Sequence, residues 1–542
     1  MSIEKAAPAA AAPVPPSASA RLVEGLLNPA AYPHPVARVE LLETHISWVL
    51  LAGDFAYKVK KPVSLGFVDF ATLEARRHFC EEELRLNRRT APALYLDVVA
   101  ITGTAASPVL GGAGPAIEYA VRMRRFPQEA LLGRMAREGR LEAGHIDRLA
   151  RAVAGFHARV ERAGASLAFG SAEQVLADAL ANFTQVDALD DSESTRALRR
   201  ELRERTRYSG ASLAGDFARR KREGFVRECH GDLHLGNVTL VEGVPVVFDA
   251  IEFNESLRWI DVMADLAFPV MDLEHHSLPR FAWRLLNGYL EATGDYGGLG
   301  VLRFYLVYRA MVRAKVDCIR AHQADANALE RERSARAYRA HLKLARHLGQ
   351  PQPAALVVMH GLSGSGKTTV SQALLESLGA VRARSDVERK RLHGLDALAR
   401  TASPTGAGLY GAQETDRTYS QLAHIAGEVL AQGYPAIVDA AFLERSRREF
   451  FREIAGDHGA AFAIVACGAP EAELRRRVER REREGSDASE AGLAILENQL
   501  GRLEPLAEDE LESTVFIETE SEGALPPGAV PSLAARLGLA AS

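Results

Sequence analysis

Gly361-Leu362-Ser363-Gly364-Ser365-Gly366-Lys367-Thr368, with Thr369 after it, fits the pattern GxxxxGK[ST] at every fixed position. The apolar run Ala355 to Met359 precedes it, and a helix-patterned run from Lys367 to Leu378 follows. Strand, glycine-rich turn and helix in that order aim backbone N–H groups and a helix N-terminus at a single point, which suits phosphate. In such a loop Lys367 neutralises the terminal phosphates and the Thr368 hydroxyl holds Mg²⁺. Gly361, Ser363, Gly364, Ser365, Gly366, Lys367, Thr368 and Thr369 are therefore the expected nucleotide contacts, with ATP and Mg²⁺ as ligands.

Outward from this loop the sequence alternates. Strands are expected at Ala355 to His360, Ala380 to Ser385, Ala436 to Ala440, Ala461 to Cys467 and Ser513 to Glu518, with helices between them. Alternation of this kind predicts an α/β domain on a parallel sheet, with ligands at the carboxyl ends of the strands. Asp386 lies just past the second strand, where it either accepts a hydroxyl proton or caps the following helix. Asp439 closes an apolar strand and competes with Asp386 for the Mg²⁺ shell. Between Glu471 and Glu490 stand six arginines, Arg475, Arg476, Arg477, Arg480, Arg481 and Arg483, against seven acids. Pairs such as Glu473/Arg477 at i,i+4 suit a solvated helix, while arginines ahead of Gly485-Ser486-Asp487 also suit a lid closing on phosphate. Arg477 stands for that lid role. Residues 354–542 resemble the P-loop kinases of the gluconate-kinase and zeta-toxin type, an AAA-type ATP-binding fold. The resemblance implies phosphoryl transfer, with Asp386 facing the acceptor hydroxyl.

A second constellation lies upstream. Cys229-His230-Gly231-Asp232-Leu233-His234-Leu235-Gly236-Asn237 is followed by a turn at Glu242-Gly243 and the strand Val246-Val247-Phe248-Asp249. Aspartate, asparagine five residues on, and aspartate at a strand end form a carboxylate-amide-carboxylate set, and a strand-hairpin-strand path would bring Asn237 beside Asp249. The segment resembles the aminoglycoside phosphotransferase and choline-kinase-like family. That implies an α+β, two-lobed, protein-kinase-like fold in which Asp232 accepts the substrate's proton and Asn237 and Asp249 hold Mg²⁺. The order of elements agrees: five short strands and one helix, then a long helical remainder. Lys60, or Lys58 on the same strand face, matches the phosphate-gripping lysine, with Glu82 or Glu83 as its partner. Asp265 matches the aspartate that braces the catalytic loop, or is a helix-surface carboxylate. Two departures stand out. The first lobe has no GxGxxG, offering only Thr44, His45 and Ser47 in the corresponding turn, and Asp249-Ala250-Ile251 replaces DFG.

The whole chain is 542 residues, with 66 Lys+Arg against 71 Asp+Glu and 47% hydrophobic residues. These values exclude a small stapled scaffold and give no basic face for nucleic acid. Residues 1–20 read as a disordered Ala/Pro leader, 21–347 as the phosphotransferase-like domain, 348–353 (Leu348 to Pro353) as a linker, and 354–542 as the P-loop domain. Four widely spaced cysteines suggest reduced thiols and a cytoplasmic protein without a membrane span. The expected partners are small-molecule hydroxyl acceptors. The expected function is a bifunctional ATP-dependent phosphotransferase. Its rivals are a P-loop domain acting as an ATPase switch and an inactive N-terminal scaffold.

Overall fold

A computed structural model describes residues 18–64, 69–164, 167–323, 327–397, 399, 411–484, 492–519, 526 and 528–539. Residues 1–17 of the expected leader, and Gly485-Ser486-Asp487 of the expected lid, lie outside the described residues. The described chain opens with a helix, Ala18–Leu26. It divides into two compact units: Met1–Leu131 with His230–Asp232 and Val246–Arg258, and Leu132–Cys229 with Leu233–Pro245 and Trp259–Ser542. The break at Leu348 to Pro353 falls inside the second unit.

The first unit is built on six antiparallel strands, β1 (Val39–Glu43), β2 (Ser47–Ala52), β3 (Phe55–Lys60), β4 (Tyr95–Thr104), β5 (Ser107–Leu110) and β6 (Glu118–Arg124). Their order is β1-β2-β3-β6-β4-β5. The expectation of five strands missed β5. Its Pro108 and the small residues around it read as loop, yet β5 pairs only with β4 at the sheet edge, where proline does no harm to a ladder. One face buries Leu50, Tyr57, Val59, Ile101 and Ala120 against Leu26 and Tyr32 of the N-terminal segment. Between β3 and β4 runs the helix Leu73–Asn87, started by the Thr72 side chain, which accepts from the Ala75 N–H.

In the second unit, helices Ala143–Arg159, Ala172–Asp187, Glu193–Ser212, Val262–His275, Pro279–Thr293, Leu299–His322 and Ala328–Leu348 form a helical lobe. Short strands β7 (Val226–Glu228), β8 (Val238–Val241), β9 (Val244–Val247) and β10 (Trp259–Asp261) lie between them in sequence, β9 crossing into the first unit. The same unit holds a sheet of five strands, β11 (Ala355–His360), β12 (Val381–Arg384), β13 (Ala436–Asp439), β14 (Ala461–Gly468) and β15 (Thr514–Glu518), with every pair parallel. The order is β12-β13-β11-β14-β15, so the strand feeding the glycine-rich loop is central. Val357, Met359, Leu374, Leu378, Ile437 and Val465 form its core, and Trp283 of the helical lobe packs onto it. Among the described residues no helix is long and apolar enough to cross a membrane. All four cysteines are buried thiols.

Candidate functional site

In the first unit the period-two geometry of β3 puts Lys58 and Lys60 on one face. Glu83, on helix Leu73–Asn87, lies between them, with one carboxylate oxygen 2.8 Å from each ammonium. Glu82, one residue earlier, turns away to Arg85. The two lysines then diverge. Lys58 pairs with Asp249, whereas Lys60, fully buried, pairs with Glu252. Burial alone would raise the Glu83 carboxyl, but Lys58 and Lys60 pull it down to about 2. Burial lowers the affinity of Lys58 for its proton, and Asp249 and Glu83 more than reverse this, so its pKa lies well above the ordinary lysine value. For Glu252 burial wins, and its pKa is raised.

Asp249 has φ 65°, a left-handed conformation uncommon outside glycine. Its N–H donates to the Tyr95 hydroxyl, and the next N–H, of Ala250, donates to the Asn87 side chain. Asp232 follows Gly231, whose φ is +87° and where a Cβ would lie 2.6 Å from the Leu257 carbonyl. The His230 ring donates to the Phe248 carbonyl through Nε2 and accepts the Asp232 N–H at Nδ1. That ring shapes the loop ahead of Asp232. Thr44 closes the glycine-free turn of this lobe, its hydroxyl bonded to both the N–H and the carbonyl of Ser47.

Asn237 belongs to the second unit, where it is buried just before β8. The preceding N–H, of Gly236, is taken by His234 Nδ1, and that of Leu235 by Asp272. Asp265 is fully buried and bonded to His157 at 3.1 Å, which removes the helix-surface alternative.

At the glycine-rich loop, Gly361 has φ +141°, and a Cβ there would meet the Cys467 carbonyl at 2.4 Å, so the backbone path is open to glycine alone. Lys367 donates to the Gly361 and Leu362 carbonyls at 2.9 and 2.8 Å. Burial lowers its pKa, with Asp439 opposing and Arg481 reinforcing the shift. Ser365 Oγ is buried without a hydrogen-bond partner, Thr368 is partly buried and Thr369 is exposed. Ser363 donates its N–H to the Gln499 side chain. The Gly364 and Ser365 backbones are held by Arg477 and Thr519: Arg477 donates to the Gly364 carbonyl and to both Thr519 oxygens, and Thr519 to the Ser365 carbonyl. Arg477, paired also with Glu473, thus touches the loop's backbone. Arg481, of the same run, opposes the Lys367 proton electrostatically.

Asp439 is buried at the end of β13, accepting from Ser371 Oγ at 3.0 Å. Asp386 sits in the first turn of helix Ser385–Leu392 and pairs with Arg389 at 3.1 Å. Arg384 occupies the cap position, so Asp386 is not the N-cap. Past β13, Phe442 has φ 47°, its N–H donating to the Tyr419 hydroxyl and its carbonyl accepting from His360.

The residues present fit ATP with Mg²⁺. The glycine-only path around Gly361, the unpartnered Ser365 hydroxyl and Thr368, on the helix packed against Asp439's strand, are a phosphate and hard-cation donor set.

Comparison with known proteins gives two domain matches. Residues 72–305 match the Phosphotransferase enzyme family, and residues 356–506 match an AAA domain family. An uncharacterized protein of Mycobacterium tuberculosis and one of Mycobacterium bovis are each 30% identical over 459 residues, 84% of this chain and 89% of the relative. The chain belongs to the family of these mycobacterial proteins. This chain joins a phosphotransferase-family domain to a P-loop domain. Solved structures with similarity include a choline/ethanolamine kinase family protein from Mesorhizobium loti (14% identity, 60% of this chain and 98% of that chain, TM-score 0.35). A gluconokinase from Sinorhizobium meliloti is 28% identical over 35% of this chain and 94% of its own, with TM-score 0.24. The protein is an ATP-dependent phosphotransferase, using ATP with Mg²⁺.

Glu252, Tyr95, Ser371, Arg382 and Glu291 were not singled out from the sequence. Two signals were there to be read. Arg382 is a charge in the interior of a short apolar strand, and Glu252 follows Asp249 by three residues.

Proposed function

We propose that the chain is a bifunctional kinase, residues 21–347 and 354–542 each transferring the ATP γ-phosphate to a hydroxyl of a small molecule. The observation that carries this reading is the contact of Lys58 with both Glu83 and Asp249, residues far apart in sequence that kinase chemistry requires together. In the first site Lys58 meets the nucleotide phosphates, and Asn237 and Asp249 are the residues for Mg²⁺, which neutralises developing phosphate charge. Asp232 takes the acceptor's hydroxyl proton as that oxygen bonds to the γ-phosphorus. The bond to the β–γ bridging oxygen breaks, and ADP leaves with it. Lys60, buried between Glu83 and Glu252, holds β3 and the helix in place.

In the second site Gly361 to Thr368 cradles phosphate, with Thr368 and Asp439 for Mg²⁺ and Asp386 toward the acceptor hydroxyl. Arg477 fixes the loop, and Arg481 supplies the arginine charge. Burial of all four thiols is compatible with a cytoplasmic location.

The test is transfer of labelled γ-phosphate from ATP to pooled metabolites by the full chain, by Asp232→Asn and by Lys367→Ala. Two products, each lost in a different variant, are expected. Release of inorganic phosphate alone, abolished by Lys367→Ala and untouched by Asp232→Asn, would replace this reading by the ATPase switch on an inactive scaffold.

A further inference from the structure

The five-stranded sheet of the P-loop domain ends at β12, and that edge is covered by the helical lobe rather than by water. Asn287, on helix Pro279–Thr293, donates to the Ala380 carbonyl at 2.9 Å and accepts the Arg382 N–H at 2.7 Å. Its side-chain amide thus stands where a neighbouring strand would bond. One turn on, at i+4, is Glu291. It receives two bonds from Arg382, at 3.1 and 2.7 Å, and lies 3.6 Å from Arg384. Arg391 also donates to its backbone carbonyl at 2.6 Å.

Arg382 does not stop at Glu291. Its other terminal nitrogen donates to Ser371 Oγ at 3.0 Å and to the Thr368 carbonyl at 3.3 Å. Ser371 Oγ in turn donates to Asp439 at 3.0 Å. Arg382 and Ser371 are buried, and the Glu291 side chain is 17% exposed. A single path of charge-assisted bonds therefore runs from the helical lobe to the aspartate at the end of β13 and to the backbone of Thr368. Burial would raise the Glu291 carboxyl, yet Arg382 and Arg384 hold it below its ordinary value, so it stays an anion.

We propose that Glu291 is a positioning residue of the P-loop centre, setting the orientation of Asp439 and Thr368 through Arg382 and Ser371. This rests on the P-loop reading above and adds to it that the second centre is completed by a residue of the first catalytic domain. Without the Glu291 anion, Arg382 is a buried cation lacking its counter-charge. It then competes for Asp439 or moves from Ser371, and the divalent-ion shell loses its orientation.

The test uses the full chain, with ATP turnover at the P-loop defined as the part that Lys367→Ala removes, followed as ADP release against Mg²⁺ concentration. Glu291→Gln and Ser371→Ala, which interrupt the path at its two ends, are each expected to lower kcat about 10- to 100-fold and to raise the Mg²⁺ half-saturation. Binding of a fluorescent ATP analogue without Mg²⁺ stays as in the parent, and Glu291→Asp recovers part of the loss. Asn287→Ala removes the edge bonds but not the path, and is expected to leave the Mg²⁺ half-saturation unchanged. Parent-like Mg²⁺ dependence in Glu291→Gln and Ser371→Ala overturns the proposal. So does an equal shift in Asn287→Ala, which would make the effect one of docking. Absence of Lys367-dependent turnover in the parent chain is a distinct failure, removing the P-loop reading and the proposal with it.

Discussion

Lys58 lies against two carboxylates, and Lys367 against two backbone carbonyls. Burial acts on both in the same direction, but the outcomes are opposite: the pKa of Lys58 is raised and that of Lys367 lowered. In the first site the cation's position is fixed by Glu83 and Asp249, anions of the protein itself. In the second, the cation rests on the neutral carbonyl dipoles of Gly361 and Leu362. Both sites also place a non-glycine residue at positive φ just after a strand, Asp249 and Phe442, and each gives its N–H to a tyrosine hydroxyl. Such backbone costs about 1–3 kcal/mol and persists where the surroundings over-determine it. The two sites share a way of holding strained backbone and differ in how they hold charge.

That contrast is most open to attack at the lysines. Lys58→Met and Lys367→Met are each expected to cost about 10²–10³-fold in the product of their own site, measured as labelled phosphate transfer. Equal losses of both products from either variant would break the division into two centres. Next in size is stability. Glu83→Gln leaves two buried lysines short of an anion and is expected to destabilise the first unit by about 3–5 kcal/mol, read by denaturant-dependent hydrogen exchange of β3. Glu473→Gln, beside the second site, is expected to leave the same protection nearly unchanged, its ion pairs being exposed. Comparable effects would mean the first site's carboxylates are not what fixes its geometry.

A smaller effect is expected at Arg477, whose guanidinium holds the Gly364 and Thr519 backbones. Arg477→Met is expected to raise the ATP KM of the P-loop reaction about tenfold, with the acceptor KM unchanged. An effect on kcat alone would put Arg477 on the reacting phosphate instead.

The least change is one of pH. Lys367 has a lowered pKa, so on the way up to the ordinary lysine value it loses its proton while Lys58 keeps its own. In that window the unfolded chain binds more protons at this position, and the group's contribution to stability rises with pH. Phosphate binding has the opposite sign, because it needs the proton kept. As the pH rises toward the ordinary lysine value, nucleotide affinity is expected to fall in Lys58→Met, where only the P-loop binds, and to hold in Lys367→Ala. Parallel titration curves would erase the distinction between the lysines.

The parallel sheet and its loop were legible because glycine spacing and strand-helix alternation are local properties, and each expected strand of that domain was found within a residue or two of its place. The choice between Glu82 and Glu83 was not legible. Both lie on one helix, a turn's fraction apart, and only the packing of that helix against β3 decides which carboxylate meets the lysines. Glu252 was hidden for a similar reason: its partner Lys60 is 192 positions away in the chain. Asp386 could be named as a carboxylate near the loop, but its neighbour Arg389 and the cap at Arg384 came from the helix register. Sequence motifs carry residues that face a ligand, and leave out residues that face those residues.

The amide of Asn287, bonded across the edge strand β12 as another strand would be, also bears on how this gene product tolerates being cut. A fragment beginning near Ala354 would expose the Ala380 carbonyl and the Arg382 N–H in the register that templates intermolecular sheet growth. Solubility of the C-terminal half is therefore borrowed from the helices before it, and expression of that half alone is expected to yield oligomers or inclusion bodies where the intact chain stays dispersed.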